Sequence, residues 1–398
     1  MILSAKWLIK HCSTLGVLTL SLFVVGCATQ SASTNSATAE TDIAGEYPSR
    51  PINEFAKQLR DLLNLRNTDK IVDMVDMKEL LDKAVDRSDL PVAFRPSAKS
   101  RLIETQLPNY RAIVAGSLLN MQTEAGYYEI ASIAPEQSQI TYRLDDEALG
   151  YLTVYYRRDA SGEYRITDLH NWLSVYDLSY RIAQGLSLSY RINLQGNRAK
   201  QALLLQLGKV SKSDDVAEIH RVFEGLADER RNDDYLQLLY AESLLNAGDL
   251  AGFVEQTAVL NERLGTSPNY QWLLYYRNLN LENYQAAAEH LQAQIEQTGL
   301  KDAGVLDELA RIKLLSEQYD EAIRLSYEAI LSDSYYEPSY STLTFALIKT
   351  DRLDTAWETL KVLKERFSYE FDEAALRENG RFGPLLERED FRNWLKQS

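Results

Sequence analysis

Asp168 and His170 are the pair whose spacing suggests acid–base chemistry. They lie two apart in a strand-like stretch, Glu163–Asn171. A period of two points both side chains to one face, together with Tyr164 and Ile166. Inside a curved sheet, a carboxylate and an imidazole could pass a proton as acid and base, or hold a polar ligand. At a strand end the same pair would instead cap the next helix or face solvent. His220 and His290 are remote in sequence, and no His-Glu-x-x-His occurs. A Gly-x-Ser-x-Gly elbow and a phosphate loop are also missing. Cys12 and Cys27 are the only thiols, too few for a disulfide framework or a Cys-rich zinc site. The expectation is a protein without catalytic residues, metal or cofactor, and not an enzyme.

The positions of those residues depend on the elements that carry them. The chain has 398 residues, 45% hydrophobic and 25% charged, which suits two or three globular domains. Its net charge of -15 argues against a nucleic-acid partner, because phosphates need a positive surface. Lys6 and Lys10 precede an apolar run from Leu15 to Val25, too short to span a bilayer and suited to a secretion signal. The run ends in Val24-Val25-Gly26-Cys27, which resembles the lipobox of bacterial lipoproteins. That resemblance implies that residues 1–26 are removed and that Cys27 becomes an acylated N-terminus. Several acyl chains give a stable membrane anchor. Ala28 in place of Asp implies sorting to the outer membrane, with the protein on the periplasmic side. Cys12 leaves with the signal, and loss of Lys6 and Lys10 takes the charge from -15 to -17. Residues 27–45 are rich in Ala, Ser and Thr and read as a flexible tether.

Residues 46–197 read as an α+β domain. Helical patterns cover Ile52–Asn64, Ile71–Val85 and about Ser97–Asn120, with a break near Pro108. Strand patterns follow at Gly126–Ile133, Gln139–Leu144, Gly150–Arg157 and Glu163–Asn171. Short separators between them imply an antiparallel meander. Trp172 to about Asn197 returns to helix. Helices followed by a curved antiparallel sheet resemble the NTF2-like and cystatin-like folds.

Residues 198–398 read as helical throughout. Residues 201–398 hold 35 acidic and 21 basic residues, so most of the negative charge is here. A polar turn closed by a hydrophobe recurs at Leu250, Tyr284, Tyr319 and Leu353, with a fainter copy at Val216. This helix-turn-helix period of about 34 residues resembles tetratricopeptide (TPR) repeats. That family favours a small residue one turn into the second helix; here stand Phe253, Ala287, Ala322 and Ala356. The tail Glu378–Leu395 reads as a capping helix pair for an exposed repeat end.

The resemblance implies that the first helix of each repeat lines a concave groove. Its lining would include Tyr235, Glu242 and Asn246, then Asn269, Trp272, Tyr276 and Asn280, then Gly304, Asp307, Arg311 and Leu315, and finally Ser341, Phe345 and Lys349. The partner-binding candidates are Tyr235, Glu242, Asn246, Trp272, Tyr276, Asn280, Arg311, Phe345 and Lys349, with Cys27 as lipidation site. Aromatic anchors suit a protein partner. The expected function is a lipid-anchored periplasmic scaffold that holds an envelope protein or peptide in its groove, its acidity favouring basic partners. Two alternatives are a small apolar ligand or lipid in the α+β domain, and an NTF2-like enzyme.

Overall fold

Phe55, Ala56, Leu59, Leu62 and Leu63 recur at helical spacing and form the buried stripe of α1 (Ile52–Asn64). The computed structural model describes residues 51–396 except 120–125, 147–148, 173, 212, 232 and 266–269. The signal segment, Cys27, the tether and Asn269 lie outside the described residues.

The stretch expected as one helix over Ile71–Val85 is two, α2 (Thr68–Asp73) and α3 (Met77–Arg87). Asn67 and Asp76 each cap a helix start, accepting from Lys70 N and Glu79 N. Between them the backbone is diverted to strand pairing: Ile166 N donates to Met74 O at 2.9 Å, and Asp76 N to Ile166 O at 2.8 Å. The break near Pro108 falls between α4 (Arg95–Thr105) and α5 (Leu107–Leu119). Pro108 thus sits in a first helical turn, where its missing N–H costs nothing.

Four strands form an antiparallel meander in the order β1 (Tyr127–Ala134), β2 (Gln139–Asp145), β3 (Gly150–Arg158), β4 (Tyr164–Asn171). One face carries Ile140, Tyr142, Leu144, Leu152, Val154 and Ile166 and packs on Phe55, Leu59, Leu80, Leu81 and Val114. The other carries Thr141, Arg143, Tyr151, Thr153, Asp168 and His170. A bulge sets Tyr155 opposite Asp168 but Tyr156 opposite Ile166. That slip of one residue turns Ile166 and Tyr164 to the opposite face from Asp168 and His170, correcting the expected alignment. Tyr164 packs on Phe55, ring centroids 5.1 Å apart.

The helix expected from Trp172 starts later, as α6 (Leu178–Gln195). Trp172 N donates to Tyr151 O at 3.1 Å, so the chain prolongs the sheet before it turns. Leu178, Ile182 and Leu186 belong to the core of the sheet unit; Leu188 and Ile192 belong to the helical core beyond it. One helix therefore serves both units.

Beyond α6 the described residues are helical. α7 (Arg198–Val210), α8 (Val216–Gly225) and α9 (Ala227–Arg231) lead into four hairpins. These are α10 (Asp234–Asn246) with α11 (Leu250–Leu264), α12 (Gln271–Asn280) with α13 (Tyr284–Thr298), α14 (Ala303–Leu315) with α15 (Tyr319–Ser332), and α16 (Pro338–Lys349) with α17 (Leu353–Phe367). Each second helix begins at the hydrophobe that closes its turn. Each turn holds one left-handed residue at the same place: Gly248, Glu282, Glu317 and Asp351, with φ of 81°, 56°, 61° and 57°. Phe253, Ala287, Ala322 and Ala356 are each fully buried. At the end, α18 (Glu373–Asn379), α19 (Gly383–Leu386) and α20 (Glu389–Lys396) bring Phe382, Leu385, Leu386 and Phe391 into the last hairpin's core. The architecture is an α+β unit followed by an all-helical hairpin array.

Candidate functional site

Asp168 and His170 share a face, as their spacing requires, but they serve the fold. Asp168 is buried and accepts from Ser179 N at 3.0 Å, Ser179 Oγ and Leu169 N at 2.9 Å. It holds the start of α6. Burial raises its pKa, and the Ser179 hydroxyl opposes that. His170 is also buried, with Nδ1 3.3 Å from Asp177 Oδ1. Burial would raise Asp177, but His170 and Arg87 outweigh it and hold the carboxyl below its usual range. The cavity bounded by Leu152, Leu169, Asn171, Ser117 and Arg181 measures about 20 Å³, room for a single water rather than an organic ligand.

The inner helices of the hairpins are α10, α12, α14 and α16. Their face is not an open groove along its length, because α6 and the polar face of the sheet cover its first part. Trp272 is fully buried there, in edge-on contact with Tyr151 (5.8 Å) and Trp172 (5.5 Å) from the sheet unit. Tyr276 Oη donates to Leu149 O at 3.1 Å. Tyr235, Glu242 and Asn246 are buried as well, with Arg181 of α6 lying 3.8 Å from Glu242. These five residues, expected to line a partner groove, are corrected to internal contacts. Aromatic and amide side chains look alike in sequence whether a partner or the chain's own sheet covers them. Asn280, Arg311 and Phe345 are half-buried and Lys349 is exposed, so the far end of the inner face stays at the surface.

A charged cluster closes the junction. Arg143 of β2 bonds Asp145 Oδ1 at 2.7 Å, Asp302 Oδ2 at 2.8 Å and Asp333 Oδ2 at 3.2 Å. Its guanidinium lies 4.5 Å from the Tyr336 ring centroid. Tyr151 Oη donates to Asp302 Oδ1 at 2.6 Å. Asp302 also caps α14, accepting from Val305 N at 3.2 Å. Sequence reading missed Arg143, Tyr151, Asp302, Asp333 and Tyr336. The one available signal was Gly304, at the start of an inner helix. A Cβ there would stand 2.5 Å from Arg143 Cδ and 2.9 Å from Tyr151 Oη. Gly304→Ala is therefore expected to cost about 1–3 kcal/mol through overpacking, read as a lowered unfolding midpoint. A midpoint equal to wild type would show that the sheet does not sit this close.

Buried carboxyls, Asp168 among them, are expected to give the fold a pH dependence. Burial pushes Glu242 and Asp307 up to about 7, against the pull of Arg181 on the first and of the Thr342 hydroxyl on the second. Burial likewise lifts Asp145 to about 6 despite Arg143. The unfolded chain releases these protons near pH 4, so between about pH 4 and 8 the folded state binds more protons and stability falls as pH rises. Burial lowers the pKa of His290, which opposes the trend on the acid side. The melting temperature is expected to be higher near about pH 6 than near about pH 8, and Asp307→Asn should flatten the slope. A slope of the opposite sign would refute the assignment.

Among the described residues no group of His, Cys, Asp and Glu is placed to hold a metal ion. No helix among them is long and apolar enough to cross a membrane. No family model, curated protein or solved structure matches the chain.

Proposed function

We propose that the protein is a lipid-anchored scaffold on the periplasmic side of the bacterial outer membrane. It is non-catalytic and receives an envelope protein or peptide on the far end of its inner helical face. The anchor reading rests on the sequence around Cys27 and its resemblance to a lipobox. The TPR-like reading rests on the hairpin period and on the small residues at its tight contacts.

The observation that carries the proposal is the division of the inner face. The sheet takes the part around Trp272, whereas Arg311, Phe345 and Lys349 remain at the surface. The cover over the first part leaves the far end as the place where a bound segment would lie. Single-water space between α5, β3, β4 and α6 gives no support to a small apolar ligand.

The test is in-cell photocrosslinking with the reactive residue at Ser341 on the inner face. Gln292 is the comparison site, on the rim of an outer groove of about 290 Å³ between α13, α14 and α15. A distinct envelope protein captured at Ser341 and not at Gln292 is expected. Capture at Gln292 alone would move the binding site to the outer face. Capture at neither would count against a scaffold.

A further inference from the structure

We propose that the uncovered end of the inner face takes an acidic, extended segment of another protein, with an aromatic side chain of that segment seated against Phe345. This rests on the scaffold reading and adds the chemistry of the partner. It also reverses the preference for basic partners expected from net charge.

Lys349 stands one helical turn after Phe345 on α16, so the two share a stripe. Arg381, between α18 and α19, places its guanidinium 5.2 Å from the Phe345 ring centroid. Phe382 backs the same ring at 5.3 Å. Neither Lys349 nor Arg381 has an ion pair or a hydrogen bond among the described residues. Arg377 and Arg388 of this end, by contrast, pair with Glu373 at 2.6 Å and Asp354 at 2.6 Å. Two unmatched cations beside an aromatic floor are a recognition surface for carboxylates, through charge-assisted hydrogen bonds.

The carboxylates of α14 and at the start of α16 are already engaged or buried. Glu308 accepts from Arg311 Nε at 2.8 Å and Arg311 Nη2 at 2.5 Å, and also from Tyr275 Oη. Asp307 is buried, and Glu337 accepts from Ser341 Oγ at 3.2 Å. The acidity of the helical half also fades toward this end. Residues 201–344 hold 24 acidic and 11 basic residues, whereas residues 345–398 hold 11 and 10. The net charge of the chain therefore misdescribes this surface, since local fields are set by charges within about 10 Å.

The experiment is fluorescence anisotropy on the full-length, detergent-solubilised protein. The probe is a fluorescein-labelled Glu-Gly repeat peptide with one central Phe. A Lys-Gly peptide with the same Phe and a Glu-Gly peptide without it are the comparisons. The acidic Phe peptide is expected to bind best, and more weakly as salt rises. Lys349→Glu with Arg381→Glu is expected to weaken it about tenfold or more. Lys349→Gln, at an exposed site, is expected to weaken it less and keeps the test open should the double variant misfold. The proposal is overturned if either variant, folded by circular dichroism, binds like wild type. Preference for the Lys peptide would also overturn it, yet leave the scaffold reading standing. Binding of none of the three would count against the face as a peptide site, and so against both.

Discussion

Trp272→Ala is expected to lower stability by about 3–5 kcal/mol, the usual cost of deleting a fully buried large aromatic. Its indole is fully buried. It meets Tyr151 and Trp172 across the junction, and Tyr275 (5.2 Å) and Tyr276 (5.7 Å) on its own helix. Such aromatic pairs add about 0.5–1.5 kcal/mol each beyond area burial. The indole N–H has no hydrogen-bond partner among the described residues, so the site selects for shape rather than for a donor. Trp272→Phe should therefore recover much of the loss. Urea unfolding measures both. A groove-lining Trp272, open to a partner, would behave differently: its truncation would change stability by no more than about 0.5 kcal/mol and impair only capture of the partner. The two outcomes separate an internal contact from a binding residue in one measurement.

Arg143→Met is the second change with a large expected effect. It removes the cation that pairs with Asp145, Asp302 and Asp333. Breaking a buried pair by deleting one partner costs about 3–5 kcal/mol, because the remaining charge stays desolvated. The sign of its pH dependence follows from Asp145. Burial already lifts that carboxyl to about 6 with the guanidinium beside it. Without Arg143 its pKa rises further in the folded state, while the unfolded value stays near about 4. The defect is then largest above the folded pKa and shrinks as pH falls toward the unfolded one. The gap in melting temperature between wild type and variant should narrow from about pH 8 to about pH 5. Adding Asp302→Asn should return part of the loss. A gap that stays constant with pH would mean that Arg143 contributes through packing alone.

Much of the local structure could be read from the chain itself. Strand limits agree within a residue or so, because period-two patterns bounded by turn residues are short-range signals. The start of each second helix coincides with Leu250, Tyr284, Tyr319 and Leu353, because a left-handed turn residue followed by a hydrophobe is a local instruction. The misreadings lie where a distant segment competes. Met74–Asp76 leaves the helical pattern to pair with Ile166, and the Tyr155 bulge turns Tyr164 and Ile166 to the other face.

By itself the sequence determined an α+β unit followed by helical hairpins, the hairpin register and the capped end. Backbone dihedral preference and the period of apolar residues act over a few positions, so these features are written locally. Only the tertiary structure decided what covers the inner face. Arg143 and Asp302 stand 159 residues apart, and no motif or period links them. Tyr151 meets Trp272 by the same kind of contact that another chain could have made. Burial is a property of the assembled surfaces, so the chain's own elements could claim Tyr235, Glu242, Asn246, Trp272 and Tyr276 without leaving a mark in the repeats that carry them.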